Sequence, residues 1–193
     1  GFYYITLEKE SEIKFRNDHK AKLYSEAKED FKEFIPPGKE SDIAYYKQKG
    51  KFHLNKKYIF KINKPEVKRE GRDATIISTG LRTYDAFFAS EILKEKGIDA
   101  GVVQITTISP FNGEELIDII RKTRKIVVVE EHTKVGSLGE KIKTLCFDNN
   151  IECDIIHLFI EGYAGSGSYC TSLAEKNLDV SDIVKSVQKL QYK

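Results

Sequence analysis

Short apolar runs alternate with amphipathic segments through the second half of the chain, and this alternation predicts a parallel α/β fold. Ile126–Val129 is a continuous apolar run, which is typical of a strand covered on both faces of its sheet. Between such runs, apolar residues recur at helical spacing. The predicted strands and helices are a strand at 74–79, a helix at 83–96, a strand at 100–105, a helix from Asn112 or Gly113, a strand at 126–129, a helix ending near 148, a strand at 155–159 and a last helix capped by Ser181.

A further strand is predicted at Lys57–Ile62, where polar and apolar residues alternate. The loop that follows is too short for a helical crossover, so we expect this strand to pair antiparallel with the strand that begins at Ala74. Elsewhere, strand–helix–strand alternation requires parallel pairing through right-handed crossovers. We therefore predict an α/β protein: a three-layer α/β/α sandwich around a mixed five-stranded sheet with one antiparallel strand.

Ahead of Gly71 the chain is rich in lysine and aromatic residues, and its pattern is less regular. Apolar residues at helical spacing predict one helix over His19–Ile35, which the following Pro-Pro-Gly ends. Tyr3–Leu7 has the composition of a buried strand. Because a lone strand leaves its backbone groups unpaired, we expect it to belong to a sheet that this chain lacks. The chain contains no methionine, which favours excision from a longer protein.

The charge balance argues against a protein whose main partner is nucleic acid. The 193 residues carry 32 basic and 30 acidic side chains, for a net charge of +2 at pH 7, whereas wrapping nucleic acid needs a concentrated basic field. Lys47–Lys57 interleaves lysines with aromatic residues, as single strands favour. Because the whole-chain charge is balanced, we interpret this segment as a solvated loop.

Composition also bears on location. No apolar run approaches the ~20 residues that span a bilayer, so we expect no membrane association. The three cysteines, Cys146, Cys153 and Cys170, have no paired spacing and predict no disulfide framework. We interpret Cys146 and Cys153 as small apolar residues. We therefore expect a cytoplasmic protein.

Ser78-Thr79-Gly80 follows a predicted strand and precedes a predicted helix. Such turns can present backbone N–H groups to an anion, so these residues are a candidate anion-binding turn. The dinucleotide fingerprint is absent because Gly80 has no second glycine after it. The alternative is a tight turn that needs glycine for its backbone conformation.

Glu130-Glu131-His132 also follows a predicted strand. An acidic pair beside a histidine can bind a metal or move protons. Neighbouring residues on a strand point to opposite faces, so Glu130 and Glu131 cannot both address one site while the strand continues. Because no second His or Cys stands at ligand spacing, we expect no metal and favour helix capping or a subunit interface.

No residues of the chain form a recognisable catalytic set. We find no nucleophile with a nearby base, no phosphate-binding P-loop and no acidic metal cluster in the sequence. His157 lies inside an apolar strand and is interpreted as a core histidine rather than a catalyst. The Gly- and Ser-rich segment 162–168 is compatible with a ligand loop or with a loop at the edge of the domain.

Several segments nevertheless stand in a characteristic order: Glu70–Gly80, Gly97–Ala100, Thr107–Phe111, Ile126–His132, Gly136–Gly139 and Gly165–Gly167. Together they resemble the C-terminal domain of the transketolase-like, thiamine-diphosphate-dependent enzymes. The resemblance covers Tyr58 to about Val187. It implies the same three-layer fold that the residue pattern predicts.

The resemblance implies a division of the chain into three parts. Residues 1–9 are similar to the last strand of the family's pyrimidine-binding domain, residues 10–56 form a linker or insertion with one helix, and residues 57–193 form the C-terminal-like domain. Sugar-phosphate members of the family place an arginine just after that strand to grip the donor's phosphate. Lys9 falls at this position and would act as a point charge, without the bidentate fork of arginine.

The resemblance also implies that the cofactors are bound elsewhere. In this family a first domain holds the diphosphate with its Mg²⁺, and a glutamate from a second domain activates the aminopyrimidine ring. The complete enzyme would thus use thiamine diphosphate and Mg²⁺, with neither bound to this chain alone. We expect the partners to be the remaining domains or subunit of the same enzyme, and a homodimer.

Three hypotheses for function follow. The first is the assembly-supporting C-terminal portion of a transketolase-like enzyme that moves a two-carbon ketol unit between sugars. The alternative is the C-terminal domain of a 2-oxo-acid dehydrogenase β subunit, which docks an acyltransferase. The third is an independent anion-binding domain that uses the turn at Ser78–Gly80.

Overall fold

The computed structural model of the chain describes residues 4–5, 61–163 and 169–192, all of which belong to one compact unit. Strands and helices alternate along the described ranges. The strands are β1 (Tyr4–Ile5), β2 (Glu66–Arg69), β3 (Ala74–Ser78), β4 (Ala100–Gln104), β5 (Thr107–Ser109), β6 (Lys125–Val129) and β7 (Asp154–Leu158). The helices are α1 (Arg82–Glu95), α2 (Glu114–Thr123), α3 (Leu138–Asp148), α4 (Tyr169–Glu175) and α5 (Val180–Gln191).

The main sheet has five strands in the order β2-β4-β3-β6-β7. The pairs β4–β3, β3–β6 and β6–β7 are parallel, and β2 is antiparallel to β4. The chain moves from β3 to β4 in one direction along the sheet and from β4 to β6 in the other. Right-handed crossovers therefore place α1 and α2 on opposite faces. The predicted three-layer sandwich with one antiparallel strand is confirmed.

Each face of the sheet carries two of the longer helices. On one face, Leu116 and Ile120 of α2 and residues of α3 pack over Ile77 and Val128 in a fully buried cluster. On the other face, α1 and α5 pack against each other and on the central strands. Because both faces are covered, all five residues of β3 and of β4 are buried. The unbroken apolar runs in the sequence reflect this double burial.

The antiparallel strand is not the one predicted. β2 lies at Glu66–Arg69, after the predicted segment, and it pairs with β4 rather than with β3. Lys61 and Ile62 are not in a strand, and residues 57–60 lie outside the described residues. Both edges of β3 are occupied by parallel neighbours, so an antiparallel strand can add only at an outer edge of the sheet, and β2 adds at that of β4. β2 is an edge strand and its Val67 is 45% exposed, so its residues do not form the apolar pattern by which a buried strand is recognised in a sequence.

Gly71, in the short connection between β2 and β3, allows that connection to lie directly against β4. A Cβ at Gly71 would lie 1.9 Å from the backbone nitrogen of Gly101, so only glycine allows this close approach of two backbones. The contact brings the end of β2 against the start of β4. The prediction of a short connection without a helix is confirmed, although its strands are different.

The N-cap of the last helix lies two residues before the predicted one. Asp179, not Ser181, is the N-cap of α5, and its carboxylate accepts a hydrogen bond from the backbone N–H of Asp182 at 3.0 Å. The Asp182 carboxylate accepts in return from the N–H of Asp179 at 3.3 Å, which completes a capping box. Ser181 lies inside the helix and donates its hydroxyl hydrogen to Asp179. The reciprocal pair leaves no capping role for the serine.

Several predictions concern the N-terminal part of the chain. Tyr4–Ile5 pairs antiparallel with β5 in a separate two-stranded sheet, so the expectation that this strand belongs to a sheet absent from the chain is wrong: its backbone finds a partner strand here. The predicted helix at 19–35 lies outside the described residues. The assignment of residues 1–9 to a preceding domain and of 10–56 to a linker stays a prediction.

Among the described helices, none is long and apolar enough to span a bilayer.

Candidate functional site

Two segments that the sequence singled out separately start side by side in the structure. The register of β3 and β6 places Ser78 opposite Val129, at the carboxyl ends of the two central parallel strands. The turn at Ser78–Gly80 and the segment Glu130–His132 therefore leave the same edge of the sheet. In open α/β sheets this edge is where ligands commonly bind.

The Ser78 side chain points into the protein rather than into solvent. Its hydroxyl donates to Thr83 Oγ1 at 3.1 Å and approaches the carbonyl oxygen of Val103 at 3.4 Å. Gly80 has a positive φ of 57°, and its carbonyl oxygen accepts from the N–H of Thr83 at 3.2 Å. Gly80 thus provides the left-handed backbone that the turn needs before α1. Anion binding at this turn stays a prediction.

Arg82, in the first turn of α1, is a buried charge at this edge that the sequence reasoning missed. Its side chain is 1% exposed, and its guanidinium lies 2.5 Å from Asp85 Oδ2 and 3.1 Å from Glu131 Oε1. It also donates to the carbonyl oxygen of Leu178, at 3.1 Å. The sequence signal was an Arg and an Asp three residues apart at the start of a helix. One guanidinium between two carboxylates offers little attraction to an anion.

Glu130 is buried and caps a helix. Its side chain accepts hydrogen bonds from two backbone N–H groups at the start of α3, Leu138 at 2.9 Å and Gly139 at 2.8 Å. These donors belong to the helix end that has no internal acceptor for them. A carboxylate there also interacts favourably with the helix dipole. The capping role that the sequence favoured for this segment is therefore performed by Glu130.

His157, on the edge strand β7, is the third partner of Glu130. Its Nε2 lies 2.7 Å from Glu130 Oε1, and both side chains are at most 3% exposed. Because Glu130 is an acceptor, Nε2 carries the shared proton. Nδ1 is buried without a hydrogen-bond partner among the described residues. The interpretation of His157 as a core histidine agrees with this burial. Its hydrogen bond to Glu130 was not predicted from the sequence.

The electrostatics of Glu130 follow from these contacts. Burial raises the pKa of a carboxyl group because it removes water from the charged form. The hydrogen bonds from His157, Gly139 and Leu138 outweigh that effect and hold the pKa of Glu130 below its ordinary value. Glu130 is therefore ionised near neutral pH, although it is buried.

Close packing around His157 accounts for a glycine in the resemblance motif Gly136–Gly139. A Cβ at Gly139 would lie 2.4 Å from three atoms of the His157 ring. Ser137 is the N-cap of α3, and its hydroxyl accepts from the N–H of Glu140 at 3.4 Å. This segment therefore starts a helix directly against the imidazole.

The three residues of the predicted interface separate in the structure. Glu130 turns inward to α3, while Glu131 turns to Arg82, which confirms that the two carboxylates do not share a site. His132 is exposed, and its Nδ1 lies 3.0 Å from the carbonyl oxygen of Thr133. Only Glu131 and His132 are thus available to contact a partner, and the interface itself stays a prediction.

The described residues do not fit thiamine diphosphate or its Mg²⁺. Within residues 61–163 and 169–192, no three His, Cys, Asp or Glu side chains are grouped to hold a metal ion. The turn at Ser78 directs its hydroxyl inward, and the nearby Arg82 is already paired with carboxylates. Lys9 and the Gly165–Gly167 segment lie outside the described residues.

Comparison with known proteins identifies the family. A family model described as "Transketolase, C-terminal domain" matches residues 63–183. A "Putative transketolase C-terminal section" of Methanocaldococcus jannaschii is 32% identical over 155 residues, which is 79% of this chain and 46% of that protein. The 2-oxoisovalerate dehydrogenase subunit beta of Bacillus subtilis is 35% identical over 112 residues, 55% of this chain and 34% of that protein.

A solved structure extends the comparison to three dimensions. A chain titled "Split gene transketolase, inactive beta4 tetramer" superposes with a TM-score of 0.67 at 27% identity, over 72% of this chain and 46% of that one. This chain spans less than half the length of each of these three proteins. The match over 63–183, the shared fold and the sequence identities lead to one conclusion: the chain belongs to the transketolase C-terminal domain family.

Proposed function

We propose that this chain is the C-terminal, assembly-supporting portion of a thiamine-diphosphate-dependent transketolase-like enzyme that transfers a two-carbon ketol unit between sugars. In this proposal the chain is not catalytic alone. The observation that carries it is the family match over residues 63–183 together with the similarity to a transketolase section of M. jannaschii. The complete enzyme would be a transferase of carbohydrate metabolism, and we expect it in the cytoplasm.

The arrangement at the sheet edge supports a structural role for the described part. Glu130, Arg82 and Ser78 all use their polar atoms in contacts within the chain. Such buried groups fix the positions of α1, α3 and β7 relative to the sheet. Thiamine diphosphate and Mg²⁺ would then be held by the other domains or by a partner subunit. The cofactor, when bound there, would supply the carbanion chemistry of ketol transfer.

The test uses the natural protein that contains this chain. Supplied with thiamine diphosphate and Mg²⁺, it should transfer a two-carbon unit from a ketose phosphate to an aldose phosphate, measured by mass spectrometry of the new sugars. A matched reaction without thiamine diphosphate should form none. Failure to transfer from any ketose donor contradicts the proposal.

A second candidate is the C-terminal domain of a 2-oxo-acid dehydrogenase β subunit that docks an acyltransferase. The observation that favours it is the 35% identity to a 2-oxoisovalerate dehydrogenase subunit beta. In this case the natural protein should consume a 2-oxo acid and retain a lipoyl-bearing acyltransferase in a pull-down. Ketol transfer without such a partner would decide for the first function.

For assembly, we propose a homodimer supported by the exposed residues of the sheet edge. His132 is solvent-exposed beside the paired Glu131, and it carries no bond to another element through its side chain in the described structure. His132→Ala should therefore weaken the dimer and leave the monomer folded. Sedimentation at decreasing concentration measures the first effect, and circular dichroism the second. A dimer of unchanged strength would remove His132 from the interface.

A further inference from the structure

Two cysteine side chains face each other where α3 gives way to β7. Cys146 lies in the last turn of α3, and Cys153 immediately precedes β7. Their sulfur atoms are 3.6 Å apart, and the Cys153 thiol donates to Cys146. Both thiols are free. The two sulfurs are thus in contact, and a bond between them requires them to close to the disulfide distance of about 2.0 Å.

The turn between them is well hydrogen-bonded, which keeps the two sulfurs together. The N–H of Ile151 donates to the carbonyl oxygen of Cys146 at 2.9 Å, and the N–H of Asp154 donates to that of Arg124 at 2.8 Å. Asn150 takes the left-handed conformation, with a φ of 51°, that reverses the chain. The fold, and not only the short sequence separation, therefore sets the proximity of the thiols.

From this juxtaposition we propose that Cys146 and Cys153 form a reversible thiol–disulfide site that is oxidised by exchange with a small-molecule disulfide of the glutathione type. A thiolate at Cys153 attacks one sulfur of the small disulfide, forms a mixed disulfide and releases one thiol. The thiolate of Cys146 then attacks the Cys153 sulfur, closes the internal disulfide and releases the second thiol. The two cysteines lose two electrons and two protons, and the small disulfide gains them.

Exposure determines the order of these steps. Cys146 is 5% exposed and belongs to the core cluster beneath α2 and α3, whereas Cys153 is half-buried. A small disulfide in solution therefore reaches Cys153 first. Cys146 is positioned to complete the ring, because its sulfur already contacts that of Cys153.

The surroundings make this site slow to react. Burial raises the pKa of both thiols, that of Cys146 to about 12, and the negative charge of Asp154 adds to the rise at Cys153. The thiolate is the reacting form. Oxidation should therefore be slow at neutral pH and accelerate as the pH rises. The site would respond to a sustained change in redox conditions rather than to a brief one.

Oxidation would add a second tie between the same two elements. Glu130 already joins the start of α3 to His157 of β7. A bond between Cys146 and Cys153 would join the end of α3 to the start of β7. The helix and the strand would then be fixed at both ends.

The experiment measures the redox state of each cysteine in the natural protein. The reduced protein is equilibrated in glutathione buffers of increasing oxidised fraction, quenched in acid, alkylated and mapped by peptide mass spectrometry. We expect Cys146 and Cys153 to lose their free thiols together, to yield one linked peptide without retained glutathione, and to be restored by a reductant. Cys170 serves as an internal comparison and should remain outside the linkage.

Two serine variants provide matched controls. Cys146→Ser should accumulate a stable glutathione adduct on Cys153, and Cys153→Ser should leave Cys146 free for longer at the same pH. The same titration of the protein unfolded in urea measures how readily the disulfide forms when only the short sequence separation brings the cysteines together. The folded wild-type protein should form the disulfide in a more reducing buffer than the unfolded one. A stable glutathione adduct on wild-type Cys153, a linkage to Cys170, or harder oxidation in the folded state would overturn the proposal. Because wild-type protein carries the decisive comparison, a variant that fails to fold does not weaken the test.

Discussion

Glu130 Oε1 and His157 Nε2 lie 2.7 Å apart, and this buried hydrogen bond ties the carboxyl end of β6 to the edge strand β7. The same carboxylate holds the first N–H groups of α3. The Glu130 side chain thus connects the edge strand β7 and the start of α3 to the end of β6. The family motif that contains Glu130 therefore has a structural role in the described part of the chain.

Replacing Glu130 by glutamine should destabilise the protein by about 2 kcal/mol, since hydrogen bonds to a buried charge contribute roughly that much. Glutamine keeps the shape, but it lacks the negative charge and turns an N–H₂ group toward an N–H donor. Urea unfolding followed by circular dichroism measures the change. Glu114→Gln, at the exposed start of α2, is the matched control and should change stability by less than about 1 kcal/mol. Equal effects of the two variants would contradict the role assigned to Glu130.

The stabilisation from Glu130 should also depend on pH in a defined direction. The pKa of Glu130 is lowered in the folded protein from an ordinary value of 4.5. A carboxyl group with a lowered folded-state pKa binds protons more readily when the chain is unfolded. Its stabilisation is therefore complete above pH 4.5 and is lost as the pH falls through the folded-state value.

Urea midpoints between about pH 7 and about pH 3 test this dependence. The difference in unfolding free energy between wild type and Glu130→Gln should shrink as the pH falls. Glu114→Gln should show no comparable loss. A difference that stays constant down to the lowest pH would mean that Glu130 is not held in its charged form by its partners.

Gly139→Ala should cost about 2 kcal/mol because the added methyl group would overlap the His157 ring, and overpacking of a buried site has costs of this order. In a His157→Ala background the ring is gone, so the same substitution should cost much less. Gly136→Ala is the control: Gly136 has a φ of 71° and open space around its Cβ position. Its penalty, about 1 kcal/mol from backbone strain, should be the same in both backgrounds. An unchanged Gly139→Ala penalty without the imidazole would show that the clash is not with His157.

Arg82→Met should destabilise the chain by about 3–5 kcal/mol, because it leaves the buried Asp85 carboxylate without its guanidinium. Adding Asp85→Leu removes the buried negative charge as well and should recover part of the loss. The control is Arg72→Met. Arg72 pairs with Asp99 at 2.9 Å with its side chain 82% exposed, so solvent screens the pair and its loss should change stability far less than the loss of Arg82. Chemical unfolding of the wild type, Arg82→Met, Asp85→Leu, their double variant and Arg72→Met gives the comparison, and a double variant as unstable as the sum of its two single variants would count against the buried pair.

The parts of the fold that the sequence predicted are those governed by local pattern or by burial on both sides. The apolar run at Ile126–Val129 marked a central strand because both of its faces are covered. The separation of the neighbours Glu130 and Glu131 agrees with the alternation expected along a strand, although β6 ends at Val129, just before them. Such inferences require only the residues next to one another in the chain.

The failures have a different physical origin. The partner of β2 depended on which strand edge remained free, and the bond between Glu130 and His157 joins residues 27 positions apart. Neither is encoded in a local pattern. Asp179 could have been identified as the cap of α5 from Asp182 three residues later, since two acidic residues at that spacing can form a reciprocal cap.

Lys9 provides the sharpest test of the proposed ketol transfer, since its role comes from the resemblance and not from the described structure. Lys9→Ala in the natural enzyme should raise KM for a phosphorylated ketose donor about tenfold, equivalent to about 1.4 kcal/mol, because a charge that binds phosphate is removed. The kinetics with an unphosphorylated donor should be unchanged. Lys9→Arg keeps the charge and adds a bidentate fork, so it should bind the phosphorylated donor at least as well as wild type. Steady-state kinetics with both donors separate the outcomes: an equal loss for the two would indicate a structural role, and no loss for either would place the phosphate contact at another residue.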